Sequence, residues 1–237
     1  MNPGCTLLRF LAVLIASTAA GFAKNTPVTI EQTVDPQFPA ALTFTTITSG
    51  EAQFLINIDA NGKLVDLMVA GYSNPAFAEE ATSLLKQWRY KAATVNGEPV
   101  GVRIPLRIDF MSKGRVISLT AAETTNALTQ HMMPTPLTKR VFPADELDHP
   151  IEILRRVSPP NPGRAADAVQ TSGSTLVDFY VDENGRPRMP VVIETTNERY
   201  AVAAVSALTL WQFSPPVRQG KPVSVRVQQQ FIFPAES

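Results

Sequence analysis

Shifted by 123 residues, the sequence falls on itself: Val34–Phe110 aligns with Val157–Phe233 without a gap, and 22 of the 77 positions are identical. A repeat of this length constrains the fold more than any other feature, because each copy has to close a core of its own. The identities include Pro36/Pro159, Pro39/Pro162, Gly50/Gly173, Asp59/Asp182, Asn61/Asn184, Gly62/Gly185, Trp88/Trp211, Gly97/Gly220, Pro99/Pro222, Arg103/Arg226 and Phe110/Phe233. Most are turn residues, the tryptophan and strand positions. Such residues set geometry, so what recurs is a fold, and the chain is read as two tandem domains.

Each copy reads as strand, turn, strand, helix, loop, strand. Phe54, Ile56 and Ile58 alternate with Leu55 and Asn57, the period of a half-buried strand. Asp59–Lys63 is a hairpin turn, since Asn61 and Gly62 tolerate positive φ. Lys63–Ala70 returns as the second strand. Asn74-Pro75 offers an N-cap and a first-turn proline, and Phe77, Ala81, Leu84, Leu85 and Trp88 then form one helical stripe. After Asn96-Gly97, Val100, Val102, Ile104, Leu106, Ile108 and Phe110 alternate as the clearest strand in the protein. The second copy repeats this with Val177, Phe179 and Val181, the turn Asp182–Gly185, a helix carrying Tyr200, Ala204, Leu208 and Trp211, and a last strand Val223–Phe233. Pro187 and Pro190 predict that its second strand is an edge or carries a bulge. The fold class is α+β: two small domains, each a short antiparallel sheet packed on one helix, with Trp88, Trp211, Gly62 and Gly185 in structural roles.

Outside the repeats, residues 1–23 have the layout of a secretory signal peptide: Arg9, the apolar run Phe10–Ala16, and small residues at Gly21 and Ala23. An uncleaved anchor is the alternative, although Phe10–Ala23 falls short of the ~20 residues that span a bilayer. The domains are then 24–110 and 157–237, joined by a connector over 111–156. In it, Arg115–Leu119 could extend the first sheet, Thr120 and Glu123 suggest a capped helix over Ala121–Met132, and the stretch Pro134-Thr135-Pro136, then Phe142–Pro150, reads as a stiff tether. The copies differ in charge: six basic and eight acidic residues in the first, seven and six in the second. That asymmetry suggests different partners or mutual contact.

The ordered set Phe38-Pro39, Gly50, Ile58–Gly62, Trp88-Arg89-Tyr90, Asn96–Val100 and a strand ending at Phe110 resembles the C-terminal domain of TonB-type energy transducers, and the second copy resembles it too. The resemblance implies a periplasmic domain of Gram-negative bacteria that binds an extended segment of an outer-membrane receptor by strand addition beside its last strand. The binding edges it implies are Val102–Phe110 and Val225–Phe233, with Val102, Arg103, Ile104, Arg107, Val225, Arg226, Gln228 and Gln230 as partner-binding residues. A membrane contact is implied only if the N-terminal segment is retained. The chain departs from the transducers in an N-terminal segment with the layout of a cleaved signal rather than a retained anchor, in the missing Pro-rich rod, and in Asn161 in place of the aromatic before Pro162.

Little points to chemistry. Zero formal net charge excludes the footprint of a general nucleic-acid binder. One cysteine and two histidines cannot build a four-ligand Cys/His zinc site, so no metal or other cofactor is expected. Asp59 and Asp182 sit in turns that Asx hydrogen bonding explains, and His131 and His149 lie outside the repeats. The functional expectation is a non-enzymatic periplasmic protein with two peptide-binding modules. The alternatives are a structural or dimerising protein using the same edges, or a small secreted hydrolase using Asp59, Asp182 and a connector histidine.

Overall fold

The computed structural model describes residues 25–112, 137–162 and 172–234. The expected signal segment, the strand Arg115–Leu119, the helix Ala121–Met132 and His131 lie outside them. In the first copy, β1 (Thr29–Gln32), β2 (Ser49–Ile58) and β3 (Leu64–Tyr72) precede α1 (Pro75–Leu85). Then follow β4 (Arg89–Lys91), β5 (Ala93–Val95), β6 (Glu98–Val100) and β7 (Val102–Met111). Two connector strands, β8 (Thr138–Lys139) and β9 (Val141–Phe142), lead to the second copy. It runs β10 (Ile153–Arg155), β11 (Gly173–Val181), β12 (Pro187–Thr195), α2 (Glu198–Leu208), β13 (Gln212–Phe213), β14 (Val217–Arg218), β15 (Lys221–Pro222) and β16 (Ser224–Phe233).

The repeated residues build the same parts twice. The Asp59 carboxylate accepts the N–H groups of Asn61 and Lys63, and Asp182 accepts those of Asn184 and Arg186, closing the β2–β3 and β11–β12 turns. Asn74 caps α1 by accepting the Ala76 N–H, and Asn197 caps α2 through Arg199. The expected stripe Phe77, Ala81, Leu84, Leu85 and Trp88 is buried, largely against Phe54, Ile56, Ile58, Leu106 and Ile108. Gly50 and Gly173 recur because an aromatic ring lies on each. A Cβ there would come within 2.1 Å of the Phe77 ring or 2.3 Å of the Tyr200 ring.

The tryptophans do more than fill space. Trp88 donates its indole N–H to the Val34 carbonyl (3.0 Å) and Trp211 to that of Val157 (2.8 Å), pinning the first residue of each aligned repeat to the core. The structural repeat reaches further upstream than the alignment. β1 pairs with β4 at Ile30↔Tyr90, and β10 pairs with β13 at Ile153↔Phe213, the same positions 123 residues on. Asn25 accepts the Asn96 N–H as Asp148 accepts that of Gln219. Residues 148–156 are thus built like the start of the first copy.

The sheets have the strand orders β7-β2-β3-β8 and β12-β11-β16-β9. β12 is an edge strand and also bulges, with Met189 at φ +50° and the register shifting between Asp178 and Tyr180. Where the sequence suggested a tether, the connector enters both sheets. Arg140 donates its N–H to Ala70 O on β3, and its carbonyl accepts the Ser224 N–H on β16. One short strap therefore passes from one sheet into the next, the way a strand turns the corner between packed sheets.

Each small domain leans on its tryptophan, so Trp88→Ala or Trp211→Ala is expected to cost about 3–5 kcal/mol. Phe at either position keeps most of the ring but loses the N–H donor, and is expected to cost about 1–2 kcal/mol. Urea unfolding of the full chain checks both. Midpoints equal to wild type would refute the anchoring role.

Candidate functional site

Each sheet has one face against its helix, and the other faces meet. Leu55 and Met68 of the first copy pack with Tyr180 and Met189 of the second, and Val141 of the strap joins them. Charged pairs surround this cluster. Asp66 receives Arg188, Nε to Oδ2 at 3.0 Å, and Arg188 also reaches Asp182. Arg140 of the strap pairs with Glu183.

The centre of the contact is Asp178, whose side chain is fully buried. Arg103 of β7 and Arg226 of β16, the repeated arginines, both bind its carboxylate, Arg226 Nε at 2.8 Å from Oδ1. Arg103 also donates to the Met189 carbonyl at 2.9 Å and lies over the Tyr180 ring, 4.8 Å from its centroid. Burial pushes the Asp178 carboxyl up, but the hydrogen bonds and charges of Arg103 and Arg226 outweigh it and hold the group below the usual carboxylate range.

The two implied edges differ. The Ser224 N–H points outward to the strap, and the β11–β16 register is continuous, so Arg226, Gln228, Gln230 and Ile232 also turn their main-chain groups outward. Beyond β9 the groups of Gln228, Gln230 and Ile232 meet no main-chain partner among the described residues; the Gln230 carbonyl accepts the Gln229 side-chain amide at 2.7 Å. On β7 the equivalent positions are Arg103, Pro105, Arg107 and Asp109. Pro105 brings no N–H, which is tolerable because β7 is an edge strand. The first edge therefore lacks a donor at its centre, where the second has Gln228.

The implied partner-binding residues are thereby distributed. Val102 and Ile104 pack against the first core, and Val225 is buried in the second, opposite Phe142. Arg103 is turned to the other domain. Arg107 pairs with Glu51 and with Asp109, at 2.8 Å from the latter. Arg226, Gln228 and Gln230 remain exposed along β16, with Gln228 Nε2 3.4 Å from Asp178 Oδ1. Asp178, Pro105 and the strap were not singled out in the sequence. His149 is exposed, and Asp59 and Asp182 are committed to their turns. Among the described residues no group of three or more His, Cys, Asp or Glu side chains could hold a metal, and no helix is long and apolar enough to cross a membrane.

A family described as "Gram-negative bacterial TonB protein C-terminal" matches residues 34–111 and 161–234. Among solved structures, the solution NMR structure of Pseudomonas aeruginosa TonB CTD is 30% identical, covering 37% of this chain and 88% of that one, with a TM-score of 0.32. No curated protein matches.

Asp178→Ala strands Arg103 in the contact and is expected to cost on the order of 3 kcal/mol. Arg226→Ala removes one of the two partners of the buried carboxylate and is expected to cost about 1–2 kcal/mol, less than Asp178→Ala because Arg103 still holds the charge. Because the Asp178 carboxyl is held low in the folded state, its contribution is complete above the unfolded value of about 3.9 and is lost as pH falls through the folded value. Urea unfolding between pH 5 and 2 is therefore expected to show a flatter pH dependence for Asp178→Asn than for wild type. An unchanged slope would refute the role given to this carboxylate.

Proposed function

Because this chain belongs to the Gram-negative bacterial TonB protein C-terminal family, with the domain present twice, we propose that it is a non-enzymatic periplasmic binding protein in TonB-dependent transport across the outer membrane. Residues 1–23 act as its export signal. Its partner is an extended segment of an outer-membrane receptor, which adds as a strand beside β16 between Arg226 and Ile232.

One observation carries this reading: the outer edge of β16 already takes a strand. The strap pairs with it at Ser224↔Val141 and Val225↔Phe142, and the edge beyond continues in register with outward main-chain groups. Main-chain hydrogen bonds would supply affinity, and the exposed side chains of Gln228, Gln230 and Ile232 selectivity. β7 is the weaker site, since Pro105 removes a central donor. The first copy then serves as a platform that holds the second.

Titration with receptor-derived extended peptides tests the proposal. At millimolar peptide, the amide resonances of Arg226, Gln228, Gln230 and Ile232 are expected to shift. Gln228→Pro copies onto β16 what β7 carries at Pro105, so it is expected to fold and to bind at least tenfold more weakly. Peptide shifts in neither copy, or undiminished affinity in Gln228→Pro, would overturn strand addition.

A further inference from the structure

We infer that the strap is an exchangeable ligand of the edge it occupies. The head of β16 is a recognition site for an extended segment bearing a β-branched residue followed by an aromatic one, filled at rest by Val141 and Phe142. The inference rests on the strand-addition reading of β16 and adds a side-chain preference and a competitor within the chain.

The site has a main-chain part and two side-chain sockets. Ser224 donates its N–H to the Arg140 carbonyl at 2.9 Å, and two residue pairs align in parallel. Val141 enters the cluster of Met68, Tyr180 and Met189 between the domains. Phe142 is 9% exposed, and the Arg218 guanidinium lies over its ring, 4.4 Å from the centroid. Arg218 is itself held by Glu146 at 3.0 Å. A cation over an aromatic face gives this socket a preference an aliphatic side chain cannot meet.

The same geometry makes the occupant replaceable. Only two residues pair before Pro143, which has no N–H, so the strap leaves the outward groups of Gln228, Gln230 and Ile232 unused. A longer segment beginning at the same sockets would satisfy them as well. A cleft of about 430 Å³ flanks the strap, lined in part by Met68, Val69, Arg140, Glu183 and Ser224, so the strap borders open space at Arg140. Because the strap also pairs with β3 through Thr138 and Lys139, its release from β16 would loosen the tie between the sheets. While the strap is bound, an outside segment that uses these sockets binds only to the fraction of molecules in which the strap is open.

The probe is a labelled, end-capped heptapeptide Leu-Thr-Lys-Arg-Val-Phe-Pro, the sequence of residues 137–143, titrated against full-length protein. Phe142→Ala empties the aromatic socket and is expected to bind it at least tenfold more tightly than wild type. Adding Arg218→Ala to Phe142→Ala, or Ala for Phe in the peptide, is expected to remove most of that gain. Equal binding by wild type and Phe142→Ala, or none by either up to millimolar peptide, would overturn the inference. Hydrogen exchange on wild type gives a readout that does not depend on the variant folding. The Ser224 amide, held by the strap, is expected to exchange at least tenfold faster than the Val227 amide, held by β11, and equal protection would also overturn it. Receptor-peptide shifts at Gln228 and Gln230 without strap exchange leave the strand-addition reading standing. Strap exchange without those shifts overturns that reading instead.

Discussion

A carboxylate buried between two arginines fixes how the two halves of this protein meet. Asp178 has no exposed side-chain surface, and its charge is tolerable only while Arg103 and Arg226 hold it. One arginine comes from each copy, so the buried charge is satisfied only when both domains are in place. The position equivalent to Asp178 in the first copy is Leu55, which joins the apolar cluster instead. Pairing two first copies the same way would set Arg103 against Leu55 and leave a guanidinium without its carboxylate. The divergence of one residue thus favours first-with-second over first-with-first.

The second constraint is the exposed strand edge, which a small antiparallel sheet always has. The strap pairs with β3 on one side and with β16 on the other, so a single segment shields parts of two edges and sets the order β7-β2-β3-strap-β16-β11-β12. At the two ends of this series, β7 and β12 are linked by a side chain, Arg103 reaching the Met189 carbonyl. The bulge at Met189 belongs to the same arrangement, since it places that residue in the cluster between the sheets.

The domain fold was legible because its rules are local. Asx turns, asparagine caps and period-two strands depend on neighbours a few residues apart, and the repeat supplied each of them twice. The 123-residue register in fact continues upstream, with Pro27/Pro150 and Ile30/Ile153. These matches lie on the two short strands that extend the structural repeat, so the signal was present but sparse. The contact between domains was not legible in the same way. Alternation shows that Asp66, Arg103 and Asp178 share the face away from the helix, but a polar face reads the same whether water or another domain covers it. Nor can periodicity reveal a two-residue strand such as Val141–Phe142, which lies between Pro136 and Pro143 and reads as a tether.

Duplication need not have produced two equal binding modules, and the edges show why. Pro105 and Gln228 stand at equivalent places on the last strands, yet one removes a main-chain donor and the other keeps it. Arg103 and Arg226 are identical residues, yet Arg103 is nearly buried between the domains while Arg226 stays half exposed beside the open edge. If only β16 accepts a partner strand, the chain is effectively monovalent, and its affinity gains nothing from linkage of the copies. The first copy then contributes by geometry. It supplies Arg103 to the buried carboxylate, Met68 to the Val141 socket, and the β3 edge that holds the start of the strap.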